Sequence, residues 1–302
     1  MFFILYNSHK EVYICMKRIL SAFMSVILFS SGTALLSVNA AASPDTPVIV
    51  AFGDSITASG AWFAAINSRF GFNIINAGIG GNNTSDAKLR FSTDVLKKNP
   101  DIVIICFGMN DSALDMAKHI EINAFKDNLR YFITTLKEKG IKVILATPNH
   151  IEESLYYTRH DSSVFAPVGG AAAYVDSYCE AIRAVADEQG VYLADIRASC
   201  DNYPNRLSVV TDGVHPTTLG YSLYSALIGE QITKIYLGDA NRDGKINAAD
   251  YLLIKRHFLG SYTIPQTHLS FADVDGDGEI RAKDYLALKR YFLGTHNIFK
   301  ED

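Results

Sequence analysis

The sequence predicts an α/β fold, a three-layer sandwich with helices on both faces of a parallel sheet, followed by a small helical module. Two observations support this prediction. Short apolar runs alternate with amphipathic stretches over residues 48–236, and a twelve-residue acidic pattern occurs twice after residue 238. Alternating strands and helices imply parallel strands joined by right-handed crossovers. We therefore expect an α/β domain over residues 46–236 and a helical module over residues 238–297.

The expected elements follow from periodicity and from helix-ending residues. The first strand is the apolar, β-branched run that begins at Val48. Four further strands are expected at residues 73–77, 101–106, 141–146 and 191–196. Helices are expected at residues 62–70, 85–98, 122–139, 171–189 and 218–236.

Composition sets broad limits on what the chain does. Of the 302 residues, 48% are hydrophobic and 20% are charged, which is ordinary for a globular protein. The formal net charge of -4 is small. It therefore gives no reason to expect nucleic acid or an anionic membrane as a partner.

The N-terminal residues resemble a targeting segment. Met16-Lys17-Arg18 precedes an apolar run over residues 19–36, and small residues follow up to Ser43. This order predicts a secretory signal peptide over residues 1–42, and thus a secreted protein. A membrane anchor is the alternative, although the run is barely long enough to span a bilayer.

A candidate catalytic set occurs near the two ends of the α/β domain. The first strand leads into Gly53-Asp54-Ser55, and Asp212-Gly213-Val214-His215 lies close to the last helix. A serine hydroxyl is a weak nucleophile that needs a base, and the base needs an orienting acid. We predict that Ser55, His215 and Asp212 fill these roles. The alternative is that Ser55 is a turn residue or a helix N-cap.

Two blocks after the second and third strands complete a family pattern. They are Asn76-Ala77-Gly78-Ile79-Gly80-Gly81-Asn82-Asn83-Thr84 and Phe107-Gly108-Met109-Asn110-Asp111. With the serine and histidine blocks, over residues 48–235, they resemble the SGNH (GDSL-type) hydrolases, which are esterases and lipases of a flavodoxin-like α/β/α fold. The resemblance implies an oxyanion hole made by the backbone N–H groups of Ser55 and Gly81 and the side-chain amide of Asn110. Thr57 stands where Gly-x-Ser-x-Gly needs its second glycine, which argues against the α/β-hydrolase fold.

Substrate-binding residues are expected at the same edge of the sheet. Asn149 and His150 follow the fourth strand, and Asp54 precedes the serine, so we predict that these three contact substrate. Residues 151–170 lack clear periodicity and are predicted to form a long loop over the active site. Such loops often determine substrate specificity. The alternative is a solvent-exposed loop with no role in the active site.

Three cysteines follow the predicted signal peptide. Cys106 lies in an apolar strand and is predicted to be a buried small side chain. Cys179 and Cys200 could pair, but an odd number of cysteines makes a disulfide framework unexpected.

The C-terminal module contains two loops with oxygen-bearing side chains at regular positions. Glycine stands at position 6 of each loop, and the repeat is 34 residues long (273 minus 239). Hard oxygen ligands at this spacing suit Ca²⁺, so we predict two calcium ions. The predicted ligands of the first loop are Asp239, Asn241, Asp243, Lys245 through its carbonyl, Asn247 and Asp250. Those of the second are Asp273, Asp275, Asp277, Glu279 through its carbonyl, and Asp284.

Both loops depart from an ordinary EF-hand. Position 12 is aspartate, no helix is expected before either loop, and Arg281 cannot act as a ligand at position 9 of the second loop. A duplicated loop-then-helix unit of this kind resembles a type I dockerin. The resemblance implies that the module binds a cohesin on a cellulosomal scaffoldin.

Together these features predict a secreted, cellulosome-borne serine esterase that removes O-acetyl groups from plant cell-wall polysaccharide, most of all xylan, without a catalytic cofactor. The step from esterase to acetylesterase rests on the attached dockerin. Feruloyl esterase and broad-specificity lipase activities are alternatives. A non-catalytic carbohydrate-binding domain with a vestigial triad is a further alternative.

Overall fold

The computed structural model describes residues 47–299. The predicted signal peptide, residues 1–42, lies outside this range. At the centre is a five-stranded parallel sheet with strand order β2-β1-β3-β4-β5. The sheet consists of β1 (Ile49–Gly53), β2 (Ile74–Gly78), β3 (Ile102–Cys106), β4 (Lys142–Ala146) and β5 (Tyr192–Ala194). This confirms the predicted α/β class and its parallel sheet.

The strands are apolar because both faces of the sheet are covered. Every residue of β1 and β3 is buried, as expected for central strands of a parallel sheet. β5 is shorter than predicted, because Asp195 caps a short helix that begins at Ile196.

Nine α-helices accompany the sheet over residues 47–236. They are α1 (Ser55–Ala58), α2 (Phe63–Phe70), α3 (Thr84–Asp94), α4 (Ile122–Lys137), α5 (Glu153–Tyr156), α6 (Ser162–Phe165), α7 (Ala171–Gln189), α8 (Ile196–Ser199) and α9 (Thr218–Ile235). Short 3₁₀ turns occupy Leu96–Lys98, Ala166–Val168, Cys200–Asn202 and Arg206–Ser208.

Alternate residues of the strands face two separate cores. One core contains Ile49 and Ala51 of β1 and receives Tyr224 of α9. The other contains Val50 and Phe52 of β1 and receives residues of α3, α4 and α7. This is the three-layer arrangement predicted from the alternation of strands and helices.

The C-terminal module is helical. It contains α10 (Ala248–Phe258), α11 (Leu269–Ala272), α12 (Ala282–Phe292) and a 3₁₀ turn at Gln266–His268. Ile254 and Leu288, at equivalent positions of the repeat, are fully buried in its small core. The expectation that no helix precedes either loop is wrong for the second, since α11 ends directly before Asp273.

The module packs against the α/β domain through aromatic side chains. Phe271 of α11 is fully buried, and its ring stacks on that of Phe70 with centroids 5.4 Å apart. Arg242 is also buried and donates from Nη1 to the carbonyl oxygen of Phe70 at 2.6 Å, while its guanidinium lies 4.4 Å from the centre of the Phe72 ring. The two domains therefore share a packed boundary.

The cysteines in the described part of the chain are free thiols. Cys106 is buried in the core, as predicted. Cys179 and Cys200 are buried and unpaired, so they do not form a disulfide with each other. None of the helices in residues 47–299 combines the length and apolar composition that a membrane crossing requires.

Candidate active site

Ser55 is placed by the turn that follows β1. It is the first residue of α1, and the Asp54 carboxylate caps that helix by accepting from the Ile56 N–H at 2.9 Å. The turn is tight: a Cβ on Gly53 would lie 2.1 Å from Thr57 Oγ1. A Cβ on Gly78, the register partner of Gly53 in β2, would lie 2.2 Å from the Ala58 nitrogen. Both positions require glycine, and this close packing holds the serine at the carboxyl edge of the sheet.

The structure brings Ser55, His215 and Asp212 together. Ser55 Oγ lies 2.9 Å from His215 Nε2, and His215 Nδ1 lies 2.9 Å from Asp212 Oδ2. A β-bridge between Val210 and Pro216 closes the turn that carries the acid and the histidine. The arrangement has the geometry of a hydroxyl, a base and an orienting acid.

The acid of this set is held in its charged form. Partial burial would raise the pKa of Asp212, but hydrogen bonds from the His215 ring and from the backbone N–H groups of His215 and Val214 lower it to about 2. An ionised carboxylate on Nδ1 keeps that nitrogen protonated, so Nε2 is left to accept the serine proton.

Of the residues predicted for the oxyanion hole, Asn110 lies beside the serine, and Gly81 follows a glycine that does. Asn110 lines the same cavity as Ser55, and a Cβ on Gly80 would lie 3.8 Å from the Ser55 Cβ. Gly81 has a φ of +73°, which favours glycine. The Asn110 amide donates to the Asn82 carbonyl at 3.1 Å, and the second hydrogen of an amide nitrogen can serve a bound oxyanion.

Arg90 of α3 supports this region and was not singled out from the sequence. Its guanidinium donates to the carbonyl oxygens of Ala77 and Gly53, and its Nε donates to the Asn82 side chain at 2.7 Å. It thereby ties the ends of β1 and β2 to the residue that holds Asn110. In the sequence, Arg90 looks like any arginine on an amphipathic helix.

The three predicted substrate-binding residues lie elsewhere. Asp54, Asn149 and His150 are at most 4% exposed, and none lines the cavity around Ser55. Asn149 donates to the carbonyl oxygens of His150 and Val214, and its side-chain oxygen accepts from the Tyr224 hydroxyl. The prediction placed them at the correct edge of the sheet but missed that their side chains are buried away from the cavity.

The cavity around Ser55 has a volume of about 290 Å³. Its lining consists of Ser55, Met109, Asn110, Ala113, Met116, Tyr156, Arg159, His160, Asp212, Val214 and His215. The segment 151–170 thus reaches the site as predicted, although it contains α5 and α6 where a plain loop was expected. A larger cleft of about 430 Å³ lies at the opposite edge of the sheet, around Lys142 and Tyr192, but it contains no member of the triad.

Two further carboxyl groups are buried behind the serine. Burial raises the pKa of Asp54 to about 7 and that of Asp111 to about 6. Asp111 Oδ1 accepts from the Thr84 N–H at 2.9 Å, whereas its Oδ2 has no hydrogen-bond partner within the described residues.

The first C-terminal loop is folded around its predicted ligands. The two carboxylate oxygens of Asp239 accept from the N–H groups of Asp243 and Gly244, and those of Asp250 accept from Asn241 and Asn247. Burial, and next the charge of Asp250, raise the pKa of Asp239 to about 6. The donor set consists of hard oxygens, the ligand type that calcium prefers.

The second loop repeats this arrangement with one difference. Carboxylate oxygens of Asp273, Asp275 and Asp277 all lie within 4.8 Å of one another, close enough to bind one cation. Arg281 at position 9 pairs with Glu279, and its Nη1 lies 3.4 Å from Asp277 Oδ2. The arginine thus contacts one of the predicted ligand carboxylates.

Comparison with known proteins identifies both domains. A family model of the GDSL-like lipase/acylhydrolases matches residues 51–223, and a model of the type I dockerin domain matches residues 237–293. The lipoprotein YqeF of Bacillus subtilis (strain 168) is 37% identical over 168 residues, covering 49% of this chain and 69% of that protein. An acetylxylan esterase of Geobacillus stearothermophilus is 26% identical over 170 residues, covering 53% of this chain and 71% of that protein.

Solved structures agree with these matches. A lipase/acylhydrolase from Enterococcus faecalis superposes with a TM-score of 0.54 at 27% identity, covering 62% of this chain and 95% of that one. The acetyl xylan esterase AlAXEase gives a TM-score of 0.51 at 25% identity, and the match covers 61% of this chain and 98% of that one. Since the family match spans more than half of the 302 residues, the chain belongs to the GDSL-like lipase/acylhydrolase family and carries a type I dockerin domain.

Proposed function

We propose that this protein is a secreted, cellulosomal serine esterase that removes O-acetyl groups from plant cell-wall polysaccharide, with xylan as the main substrate. The observation that carries the proposal is the hydrogen-bonded chain Ser55–His215–Asp212 in a GDSL-family domain that shares one polypeptide with a dockerin. The relatives that include an acetylxylan esterase support the choice of ester.

In the proposed reaction, Ser55 Oγ attacks the ester carbonyl while His215 Nε2 accepts the hydroxyl proton. Negative charge develops on the carbonyl oxygen, and fixed donors aimed at that oxygen are each worth several kcal/mol. The proposed donors are the N–H groups of Ser55 and Gly81 and the amide of Asn110. Asp212 stabilises the imidazolium that forms.

Collapse of the tetrahedral intermediate breaks the bond to the sugar oxygen. His215 returns the proton to that oxygen, so the polysaccharide leaves as an alcohol and the acetyl group remains on Ser55. A water molecule then attacks the acyl-enzyme with His215 again as the base. Acetate is released and the serine is restored.

The lining of the cavity supports a short acyl group. Met109, Ala113 and Met116 supply apolar surface to the lining, and the cavity volume of about 290 Å³ is small. A long acyl chain would need a larger apolar channel. We therefore favour acetyl over feruloyl or fatty acyl esters.

The dockerin is proposed to bind two calcium ions and a cohesin. The carboxylates of Asp239 and Asp250 in one loop, and of Asp273 and Asp284 in the other, would hold the ions from positions 1 and 12. Bound calcium would neutralise the clustered carboxylates and so add folding free energy to the module. We expect EDTA to abolish binding to a type I cohesin in a pull-down assay while hydrolysis of a small acetate ester at 25 °C continues.

Acetate release from acetylated xylan by the full chain tests the catalytic proposal. We expect Ser55→Ala to reduce the rate by about 10⁴-fold or more. Ser59→Ala, an exposed serine at the end of the same helix, is the matched control and should retain activity. Xylan activity that survives in Ser55→Ala would overturn the serine mechanism.

The alternatives give different results. If the protein releases no acetate from acetylated xylan but cleaves an aryl acetate in a Ser55-dependent reaction, feruloyl or lipid esters become the favoured substrates. No activity on either, together with no labelling of Ser55 by a phosphonate, would favour a carbohydrate-binding domain with a vestigial triad.

A further inference from the structure

A second histidine–aspartate pair lies at the same cavity as the triad. His160 Nδ1 is 2.8 Å from Asp115 Oδ1, and both side chains are only 12% exposed. The His160 ring lies parallel to the Tyr156 ring, with centroids 3.8 Å apart and planes 5° apart. Hydrogen bonding on one edge and ring stacking on a face hold this imidazole in one orientation.

The segment that carries His160 is tied to the domain at several points. Asp115 Oδ2 also accepts from the Asp161 N–H at 3.0 Å. At the start of the segment, the Glu152 N–H donates to the Gly213 carbonyl, within the turn that carries Asp212. His160 is therefore fixed relative to the catalytic residues.

The ring has one nitrogen available to a ligand. With Nδ1–H donated to the Asp115 carboxylate, Nε2 of the neutral imidazole is a hydrogen-bond acceptor. Within residues 47–299, Nε2 has no hydrogen-bond partner, whereas Nε2 of His215 is bonded to Ser55. His160 thus resembles the catalytic histidine in how it is oriented, but it has no serine to activate.

The neighbouring Arg159 offers donors on the same side of the cavity. Its Nη2 donates to the Asp212 carbonyl oxygen at 2.7 Å, and the guanidinium is about half exposed. The remaining N–H groups of a guanidinium can bind further oxygens. An acceptor and a set of donors in the lining of one cavity suit an alcohol that carries several hydroxyl groups.

We propose that His160, oriented by Asp115, is a specificity-determining residue that accepts a hydrogen bond from a hydroxyl of the sugar bearing the ester, with Arg159 donating to a sugar oxygen beside it. This inference rests on the proposed function, since it assigns the alcohol side of the same ester. It makes the pair Asp115–His160 the part of the site that distinguishes a sugar ester from a simple one.

The test compares kcat/KM for acetylated xylo-oligosaccharide and for 4-nitrophenyl acetate, which has no sugar hydroxyls. We expect His160→Phe, which keeps a ring against Tyr156, to lower kcat/KM for the sugar ester by about 10- to 100-fold and to change the aryl ester by less than about twofold. His160→Gln, which retains a hydrogen-bonding side chain, should recover part of the loss. Retained aryl esterase activity also shows that each variant is folded.

His119→Phe is the matched control. His119 has a similarly low exposure of 14% and hydrogen-bonds to Tyr174, but it does not line the cavity. The kcat/KM values of this variant for the sugar ester and for 4-nitrophenyl acetate should both stay within about twofold of those of the wild type.

The outcomes separate this inference from the proposed function. If the wild-type protein deacetylates the oligosaccharide and His160→Phe does so equally well, or loses both activities in the same proportion, the specificity role is wrong and the proposed function stands. If the wild type cleaves only the aryl ester, both are overturned.

Discussion

The catalytic domain and the dockerin both bury carboxyl groups, but they surround them differently. Behind Ser55, Asp54 accepts one backbone hydrogen bond and Asp111 accepts two hydrogen bonds from Thr84. In the dockerin, Asp239 and Asp250 belong to a loop where several oxygens converge.

The two regions differ in what surrounds their polar side chains. Ser55, His215 and Asp212 are oriented by protein donors and acceptors that are already in place. The second dockerin loop holds three carboxylates close to one another, and an ion of opposite charge would offset the repulsion. Four predictions test this comparison.

The largest effect is expected at the oxyanion hole. Asn110→Ala removes an amide that lines the cavity, and we expect kcat/KM for an aryl acetate to fall by about 10²- to 10³-fold with calcium binding unchanged. Asn73→Ala, at an exposed position before β2, is the control and should have no effect. A loss of less than about tenfold would mean that the site does not depend on this fixed donor.

The second prediction concerns Asp54 and pH. Its pKa in the folded protein, about 7, lies above the ordinary value of 3.8 because of burial. The protonated form therefore stabilises the folded state fully below about pH 4, and this contribution is lost as the pH rises towards 7.

Asp54→Asn keeps an acceptor for the Ile56 N–H and cannot ionise. Its stability should therefore not fall in this way as the pH rises. On going from pH 4.5 to pH 7.5, we expect the free energy of unfolding of the variant to rise by about 3 kcal/mol relative to that of the wild type, measured by urea unfolding. Asp187→Asn, an exposed carboxylate, should follow the wild type. Parallel curves for wild type and Asp54→Asn would show that the buried carboxyl titrates normally.

The third prediction tests how separate the two regions are. Arg242→Ala removes the hydrogen bond to the Phe70 carbonyl and the contact with the Phe72 ring, and should cost about 1 to 2 kcal/mol at the domain boundary. In calorimetry we expect the dockerin transition to move to lower temperature and separate from that of the catalytic domain. Arg256→Ala, on the exposed side of α10, should leave the thermogram unchanged. An unaltered thermogram for Arg242→Ala would show that the modules are energetically independent.

The smallest effect distinguishes the two loops. Arg281→Asn supplies the side chain found at the equivalent Asn247 and removes the guanidinium near Asp277. We expect calcium affinity at the second loop to rise about five- to tenfold, measured by isothermal titration calorimetry. Lys289→Asn removes the same charge outside the loop and should not alter the affinity. If the two variants behave alike, the effect is one of net charge only.

Much of the site could be predicted because its residues stand next to strong local signals. Ser55 follows an apolar strand, and the ends of parallel strands meet at one edge of a sheet. The same reasoning failed for Asn149 and His150, because a strand end places the backbone but does not decide whether the side chain faces the cavity or is buried away from it. Arg90 and Asp115 were missed because their partners are distant in sequence.

By itself, the sequence determined the alternation of strands and helices, the blocks that resemble an SGNH hydrolase and the two acidic loops. These features depend on neighbouring residues and on hydrophobic periodicity, and both are local properties of the sequence. Only the tertiary structure decided that His160 reaches the cavity, that Phe271 and Arg242 join the dockerin to the catalytic domain, and that Cys179 and Cys200 stay apart. Those outcomes depend on packing between segments far apart in the chain, where the shape of each partner decides what it can contact.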